Sequence, residues 1–365
     1  MKLFPDPKKK YTSEQLSARE AQRLAEYIAW GPAVFQVSRL MIKFGILDML
    51  RDSNEGMTQN EVVERTGLSE YAVKCLLEAS LGIGTVLIDA DTDRYTISKT
   101  GWFLLNDPAT RVNIDFNHDV NYEGWFHLEE SLKEGKPAGL KHFGNWPTIY
   151  EGLSSLPPKV QKSWFAFDHF YSDSSFSEAL DIVFKKYNVK SLYDVGGNTG
   201  KWALQCVSFD KDVVVTVLDL PQQIDMMQEN ISGKNGAERI KGYGINLLDA
   251  QSSFPHGDGG PDAIWMSQFL DCFSEDEIVS ILTRAREAMT PDTKLFIMET
   301  FWDRQRFEPA SFCLTMTSLY FAAMANGNSK MYHSEDMTRL IEKAGLTIEN
   351  IYDELGQGHS IIVCR

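Results

Sequence analysis

The sequence predicts an α/β protein in which a doubly wound C-terminal domain follows a mostly helical N-terminal region. Two observations predict this class. From Ser17 to Leu50, apolar residues recur at spacings of three and four, the period of an amphipathic helix, and Gly31-Pro32 divides the stretch into two helices. After residue 188, short apolar runs alternate with helical stretches, which indicates a parallel sheet covered by helices on both faces.

The N-terminal region is predicted to contain a winged-helix module. The capping box Thr58–Glu61 opens a short helix that ends at Gly67, and Ser69 caps a second helix. Two predicted strands, Thr85–Ile88 and Arg94–Ile97, follow around an Asp-rich turn. Helix, turn, helix and hairpin in this order are typical of a winged helix.

The charge of this module argues against nucleic acid as a substrate or partner. The whole chain carries a net charge of −15 at pH 7. The helix that would read DNA, within 69–82, is net −1, and the wing, 89–94, is net −2. Because phosphate contacts need positive charge, the winged helix is predicted to serve packing or dimerisation.

Composition excludes several further classes. No apolar run reaches the length of a membrane span, and residues 1–15 lack the apolar segment of a signal peptide. The five cysteines lie far apart without a CxxC pair, which favours a reducing cytoplasm, and Cys272 is expected to be structural. The scattered histidines lack metal-ligand spacing, so no metal is expected; they are His118, His127, His142 and His256.

An aromatic-rich helical stretch, 113–180, leads into the α/β domain. Most of its rings are expected to pack in a core. Between Trp164 and Tyr171, however, six of eight positions are aromatic or histidine, a density that also suits a pocket for a flat apolar ligand. The candidate pocket residues are Trp164, Phe167, Asp168 and Tyr171. The predicted regions are a helical winged-helix domain, a helical linker with the pocket, and the α/β domain, at 1–110, 111–185 and 186–365.

The elements of the α/β domain follow from the same alternation. The predicted strands are 191–195, 213–220, 263–267, 294–299 and 360–364, and the predicted helices are 201–209, 221–231, 275–289 and 334–344, the last capped by Ser334.

The most specific signal in this domain is a glycine loop, DVGGNTG, at Asp194–Gly200. It follows a predicted strand and opens a helix, and its glycines allow a tight turn and close approach to a ligand. The spacing fits neither the dinucleotide fingerprint nor the P-loop. Asp219 ends the next strand, where an acid is placed to bind the two hydroxyls of a ribose. The pair predicts a cofactor of the adenosine type.

These motifs resemble those of a known family. DVGGNTG and the following TVLDLPQQI (216–224) are similar to the S-adenosylmethionine-dependent small-molecule O-methyltransferases of plant caffeate and bacterial antibiotic metabolism. FGILDML (44–50) and RYTISKTGWFLL (94–105) resemble that family's dimerisation domain, and FDHFYSDSS (167–175) resembles the segment before its sheet. The resemblance implies a Rossmann-like methyltransferase domain, S-adenosylmethionine as cofactor, and a homodimer.

The resemblance also implies a role for each residue of the cofactor site. Gly196 and Gly197 would line the methionine part with Asp194 nearby, and Asp219 would take the ribose. Asn246 and Leu247 stand where the family has the pair that flanks the adenine. Ser267 and Gln268 stand where the family often has a lysine and an aromatic residue. The full set of candidate cofactor residues is Asp194, Gly196, Gly197, Asn198, Gly200, Asp219, Leu220, Asn246, Leu247, Ser267 and Gln268.

The catalytic segment departs from the family. Asp271 stands where the family has its general base, a histidine, and Glu299 matches the first of two supporting acids. The second falls on or near Met331 and is lost. Proton transfer from a phenol with a pKa near 10 to an unperturbed aspartate with a pKa near 3.9 is uphill by about six pKa units, or roughly 8 kcal/mol. Burial that raised the pKa of Asp271 would narrow this gap.

Three arrangements therefore stay open at the catalytic position. Asp271 is the base, oriented or opposed by Glu299; or His333 or His169 supplies an imidazole; or the acceptor is already nucleophilic and needs no strong base. The activity expected is methyl transfer to oxygen of a small aromatic or phenolic acceptor. The alternatives are methylation of an electron-rich ring carbon, another cofactor-assisted reaction such as decarboxylation or hydroxylation, or a catalytically silent regulator that binds the cofactor.

Overall fold

A computed structural model describes residues 12–255 and 260–365. The expectations that concern residues 1–11 and His256 lie outside the described residues. The described chain divides into two compact units, 12–119 and 120–365. The segment expected at 111–185 is thus shared, and its larger part, from Val120 onward, lies in the same unit as the sheet.

The unit 12–119 consists of helices and one hairpin. Its helices are α1 (Ala18–Ala29), α2 (Gly31–Lys43), α3 (Ile46–Asp52), α4 (Gln59–Thr66), α5 (Glu70–Ile83), α6 (Lys99–Asn106) and α7 (Pro108–Phe116), and its strands are β1 (Val86–Ile88) and β2 (Tyr95–Ile97).

Local capping explains where the winged-helix elements begin. The Thr58 hydroxyl accepts from the Glu61 amide at 3.3 Å, and the Glu61 carboxylate accepts from the Thr58 amide at 2.7 Å. Ser69 caps α5 through the Ala72 amide, and β1 pairs antiparallel with β2. The predicted order of helix, turn, helix and hairpin is present.

Helix α1 differs from the others because it buries none of its residues within this unit. Its apolar side chains Leu24 and Ile28 are 48% and 70% exposed, and Trp30 just after it is 66% exposed. The remaining helices surround a small core that includes Met41, Leu47 and Leu77.

The unit 120–365 begins with short helical segments. They are a π-helical turn that starts in the preceding unit (Asn117–Asn121), 3-10 turns (Gly124–His127, Ala138–His142, Leu153–Ser155 and Asp173–Ser175), a second π turn (Asp181–Lys185), and helices α8 (Leu128–Glu134), α9 (Ile149–Gly152), α10 (Pro158–Ser172) and α11 (Phe176–Leu180). Some of these segments approach a π turn, Phe321–Ala325, very closely: a Cβ on Gly124 would lie 1.9 Å from the sulfur of Met324.

The sheet follows these segments. Its strands are β3 (Ser191–Val195), β4 (Val214–Asp219), β5 (Ile240–Gly244), β6 (Ala263–Ser267), β7 (Lys294–Glu299), β8 (Ile348–Leu355) and β9 (His359–Cys364). The helices are α12 (Lys201–Phe209), α13 (Pro221–Ile231), α14 (Glu275–Glu287), α15 (Glu308–Tyr320) and α16 (Ser334–Lys343), with 3-10 turns at Ala237–Arg239 and Leu270–Cys272. Among the described residues of this unit, the strands form one sheet in the order β5-β4-β3-β6-β7-β9-β8.

The prediction of an entirely parallel sheet is wrong at one strand. β9 pairs antiparallel with both β7 and β8. The reason is the short turn between β8 and β9, at 356–358, because a turn of this length joins antiparallel strands only. The sequence analysis also missed β5 and β8, which lie at the two edges of the sheet. In both strands, polar or glycine residues interrupt the apolar ones.

Side chains of alternate strand residues form a core on each face of the sheet. Leu192 and Trp265 belong to one core, and Tyr193 and Ile264 to the other, as the two-residue period of a strand requires. In the first core the ring of Trp202 from α12 stacks on Trp265, with centroids 4.3 Å apart. Helices therefore cover both faces of the sheet, as predicted.

Helix α16 begins at Ser334, as predicted, but its N-cap is a different residue. His333, not Ser334, is the N-cap: its Nδ1 accepts from the Glu335 amide at 3.0 Å. Ser334 instead donates from its hydroxyl to Asp303, and its amide donates to the same carboxylate at 2.7 Å.

In the described part of the chain, no helix combines the length and the apolar character that a membrane span needs.

Candidate active site

A cavity of about 320 Å³ lies at the carboxyl ends of the strands, next to β3, where the order of the sheet reverses. It is lined by eleven of the predicted site residues: Trp164, Phe167, Asp168, Gly196, Asn198, Asp219, Leu220, Asn246, Leu247, Gln268 and Asp271. The other predicted residues do not line it: Tyr171, Asp194, Gly197, Gly200, Ser267, Glu299 and His333.

The glycine loop fits under the cavity because its glycines have no side chains. Gly196 has a φ of +72°, and a Cβ there would lie 2.3 Å from the ring of Phe269. A Cβ on Gly197 would lie 2.6 Å from the carboxylate of Asp194. Asn198 also has a positive φ, +49°, a backbone conformation that costs free energy and that occurs often at binding sites.

Asp194 lies beneath this loop and is 2% exposed. Burial raises the pKa of its carboxyl to about 8, and the nearby charge of Asp219 contributes to the shift. Its Oδ2 has no hydrogen-bond partner among the described residues. Asp194 therefore supports the loop from below and is protonated at neutral pH.

Asp219 faces the cavity from the end of β4. Its Oδ2 accepts from the Asn198 amide at 2.9 Å and its Oδ1 from the Leu220 amide at 2.8 Å. Burial raises the pKa of this carboxyl, and the two amide hydrogen bonds oppose the shift. The carboxylate thus ties the glycine loop to β4 and presents its remaining lone pairs to the cavity.

A buried arginine that the sequence analysis missed holds the loop after β5. Arg284 on α14 is 9% exposed and donates to the carbonyl oxygens of Leu247 at 2.6 Å, and of Asp249 and Ser252 at 3.1 Å. Three carbonyls on one guanidinium fix the shape of the segment that carries Asn246 and Leu247 into the wall. Its position on an otherwise ordinary amphipathic helix gave no signal of this role.

Gln268 is the second cavity residue with a strained backbone, at a φ of +44°. Its amide donates to the carbonyl of Met298 at 2.9 Å, and its side-chain oxygen is buried without a partner among the described residues. Ser267, the last residue of β6, precedes it and lies outside the wall.

Asp271 lies in the 3-10 turn Leu270–Cys272 and is 6% exposed. Burial raises the pKa of its carboxyl to about 7, and the charge of Asp168 adds to the shift. The Cys272 thiol donates to Asp271 Oδ1 over 3.5 Å, and this hydrogen bond opposes the increase in the pKa of Asp271. Asp271 is not a helix cap, because Ser274 and Glu277 form the capping box of α14.

Glu299, at the end of β7, lies behind this turn and is 2% exposed. Its Oε1 accepts from the amides of Phe269 at 3.0 Å and Leu270 at 2.8 Å. Burial first, and then the charge of Asp271, raises the pKa of Glu299 well above its usual value. The two backbone hydrogen bonds to Glu299 hold in place the turn that carries Asp271.

Aromatic side chains form the opposite end of the cavity. Trp164 donates from Nε1 to the hydroxyl of Tyr320 at 2.7 Å, and Phe167 and Asp168 lie on the same helix, α10. Tyr171 contacts Phe167 with ring centroids 5.1 Å apart and stands behind the wall.

Neither candidate histidine reaches the cavity wall. The ring of His333 caps α16, and its Nε2 lies 3.7 Å from Asp303. His169 is near Asp173, at 3.9 Å, and its side chain is 36% exposed. Met331 does line the cavity, so an apolar thioether occupies the position expected for the second acid.

Tyr150, Tyr320 and Asn326 also line the cavity, and the sequence analysis missed them as site residues. Tyr150 is hydrogen-bonded to Cys272, whose carbonyl accepts from the side chain of Asn326. They lie far apart in sequence from the glycine loop, so only the tertiary fold could have identified them.

No group of three or more histidine, cysteine, aspartate or glutamate side chains arranged to hold a metal ion occurs within 12–255 and 260–365.

The residues present fit a cofactor of the adenosine type. Gly196 and Gly197 leave a cradle that a Cβ would fill, and the buried oxygen of Gln268 in the cavity wall lacks a donor among the described residues. Asp219 supplies a carboxylate where a ribose would lie. Such a sheet, glycine loop and acid define a class: α/β proteins that bind a cofactor containing adenosine.

Comparison with known proteins then identifies the family. The model of the O-methyltransferase domain matches residues 125–347, and that of a Dimerisation2-like domain matches residues 22–95. The chain belongs to the O-methyltransferase domain family. The predicted family, the predicted cofactor, S-adenosylmethionine, and the predicted class of enzyme, a methyltransferase that depends on it, are confirmed.

Individual relatives are distant but extend over most of the chain. The mitomycin biosynthesis 6-O-methyltransferase of Streptomyces lavendulae is 23% identical and covers 96% of this chain and 95% of its own. The acetylserotonin O-methyltransferase of Gallus gallus is 20% identical, and the match covers 75% of this chain and 80% of its own.

Solved structures agree in fold. The S-adenosylmethionine-dependent methyltransferase SibL superimposes with a TM-score of 0.69 at 21% identity, covering 93% of this chain and 97% of its own. Human N-acetylserotonin methyltransferase in complex with S-adenosylmethionine superimposes with a TM-score of 0.62 at 17% identity, covering 97% of this chain and 99% of its own.

Proposed function

We propose that this enzyme transfers the methyl group of S-adenosylmethionine to an oxygen of a small phenolic acceptor, with Asp271 as the general base. The observation that carries the proposal is the position of Asp271: a buried carboxyl with a raised pKa in the wall of the cavity. The family supplies the chemistry, and the curated relatives described above are methyltransferases of small molecules by name.

The cofactor site in this proposal is built on the glycine loop. Gly196 and Gly197 hold the methionine part, Asp219 binds the ribose hydroxyls, and Asn246 with Leu247 flanks the adenine. When bound, S-adenosylmethionine supplies an electrophilic methyl group on a positively charged sulfur.

The proton of the acceptor goes to Asp271. As the phenol oxygen is methylated, the Asp271 carboxylate would accept its proton. With a pKa of about 7, this carboxyl lies about three units below a phenol, an uphill step of about 4 kcal/mol. An unperturbed aspartate would face roughly twice that, so burial makes Asp271 about as basic as the histidine it replaces.

Glu299 is a positioning residue in this mechanism. Its two hydrogen bonds to the backbone of the turn fix Asp271 relative to the acceptor, and positioning supplies much of the rate in an in-line displacement.

The proposal includes a homodimer formed through the unit 12–119. Helix α1 leaves Leu24 and Ile28 exposed, and an apolar surface of this kind is typical of an interface. The match of residues 22–95 to a Dimerisation2-like domain supports this assignment.

Calorimetric titration tests the cofactor site. We expect S-adenosylmethionine and S-adenosylhomocysteine to bind the protein, NAD not to bind, and Asp219→Ala to lose the binding of both. Absence of binding to folded wild-type protein would contradict the proposal.

A screen of small phenols tests the reaction itself, with the product mass and the position of the new methyl group as readouts. Products methylated only on carbon or nitrogen would contradict oxygen as the acceptor atom.

A further inference from the structure

The wall of the cavity is acidic. Its charged residues are Glu151, Asp168, Asp219, Asp271 and Glu277. Over the described residues, 12–255 and 260–365, no lysine, arginine or histidine lines it. An anionic ligand would therefore enter a cavity that offers it repulsion and no ion pair.

Two of these acids already have a role. Asp219 belongs to the cofactor end, and Glu277 accepts from the amide of Ser274 at 2.8 Å and its hydroxyl at 2.7 Å, as the cap of α14. Glu151 is exposed at the rim. Asp168 and Asp271 line the aromatic end of the cavity, close enough for the charge of one to act on the pKa of the other.

Asp168 has charged neighbours outside the wall as well. His169 and Lys201 favour its ionised form, whereas Asp173 opposes it. The ammonium of Lys201 is itself paired with Asp173. Within the described cavity wall, the residues at this end are aromatic rings and the two carboxyls, and none of them is a cation.

Aromatic rings complete this end. Trp164, Phe167, Tyr320 and Phe321 line the cavity together with the two carboxyls. Ring faces attract cations, and carboxylates beside rings form the usual setting for a cationic nitrogen on an aromatic body.

We propose that the acceptor is a small aromatic molecule that carries a cationic nitrogen, which Asp168 binds. The inference rests on the proposed function, since it names the class of acceptor for the same site. Asp271 is then kept for the reacting hydroxyl, while Asp168 holds the nitrogen. Acceptors with a carboxylate are rejected, because both acids repel them.

The experiment compares matched ligands in the presence of saturating S-adenosylhomocysteine. One set has a catechol ring with a 2-ammonioethyl, 2-hydroxyethyl or 2-carboxyethyl side chain. The other set has an indole ring with the same three side chains. Calorimetry on the full chain gives the affinity of each. We expect the ammonium ligand to bind about tenfold more tightly than the alcohol in at least one set, and the carboxylate most weakly.

The variant Asp168→Asn locates the preference. It should bring the ammonium and alcohol affinities together and improve binding of the carboxylate, while affinity for S-adenosylhomocysteine stays unchanged. Asp181→Asn is the matched control, because this exposed acid pairs with Lys185 and does not line the cavity. It should leave all three affinities unchanged.

The outcomes separate this inference from the proposed function. Failure of S-adenosylhomocysteine to bind contradicts the proposed function. Binding of S-adenosylhomocysteine without an ammonium preference in either set contradicts only the cationic acceptor. So does a preference that persists undiminished in Asp168→Asn.

Discussion

At the scale of single residues, burial sets the proton affinity of the carboxyls around the cavity. It raises the pKa of Asp168 to about 6, of Asp271 to about 7 and of Asp194 to about 8. Each value moves the carboxyl from permanent ionisation toward a titration near neutral pH. One residue type can therefore act as a ligand, a base and a neutral support within the same site.

Replacing Asp271 by Asn is expected to lower kcat about 100-fold, because the base is lost while the shape of the side chain is kept. The wild-type rate should increase with pH up to about pH 7 and then level off, since only the ionised carboxylate accepts a proton. Stopped assays of product mass across pH 5.5–8.5, and titration with S-adenosylhomocysteine, measure both effects. A variant with an unchanged rate and pH profile would exclude Asp271 as the base.

Replacing Asp194 by Asn is expected to stabilise the protein at high pH. The folded state keeps the Asp194 proton up to about pH 8, whereas the unfolded chain loses it near pH 4. Its contribution to stability is thus complete below pH 4 and declines as the pH increases toward 8, by up to about 5 kcal/mol. In urea unfolding, the free energy of unfolding of the asparagine variant should increase relative to that of wild type between pH 5 and pH 8. Equal differences at both pH values would contradict a raised pKa.

Sequence reasoning identified Asp271 and Asp219 but not the state of their protons. Asp219 follows from its place at a strand end after a glycine loop. The raised pKa of Asp271 comes from burial and then from the charge of Asp168 on another helix, so its basicity is a property of the fold.

At the scale of elements, the glycine loop works because β3 and β4 leave no room above Asp194. A Cβ on Gly197 would lie 2.6 Å from Asp194 Oδ2 and 2.7 Å from a methyl group of Val217, both of them in the core. The loop must therefore shift if any side chain is added there.

Gly197→Ala is accordingly expected to weaken binding of S-adenosylhomocysteine more than tenfold and to cost about 1–3 kcal/mol of stability. Gly82→Ala is the control, since it lies in helix α5 with no atom within 4 Å of an added Cβ. That variant should be neutral or slightly more stable. Tight cofactor binding by Gly197→Ala would show that the loop does not need this glycine.

Arg284→Met should loosen the loop that carries Asn246 and Leu247, because it removes the donors to three carbonyl groups. We expect affinity for S-adenosylhomocysteine to fall about tenfold, with the exposed Arg286→Met as control. Calorimetry on both variants measures the loss of affinity, and unfolding curves measure any general destabilisation separately.

The elements that the sequence failed to predict are those that the tertiary context decides. β5 contains two glycines and β8 alternates with acids, and both are edge strands with one free side. The interior strands β3, β6 and β7 are continuous apolar runs, and their predicted bounds agree with the structure.

At the scale of the whole molecule, the exposed face of α1 determines the expected assembly. Ile28→Asp should convert a homodimer into a monomer, because it places a charge on an apolar surface that is 70% exposed in the single chain. Analytical ultracentrifugation measures the mass. Leu132→Asp is the control, since it changes a residue of similar exposure, 63%, in the unit 120–365. A wild-type monomer, or a dimer that survives Ile28→Asp, would refute the assignment.

The position of β9 between β7 and β8 affects how the protein is made. Because translation proceeds in one direction, β7 emerges with an unpaired edge and stays so until the strand that pairs with it has been synthesised. The sheet therefore closes late, and during that interval the nascent chain exposes a template for pairing with other chains.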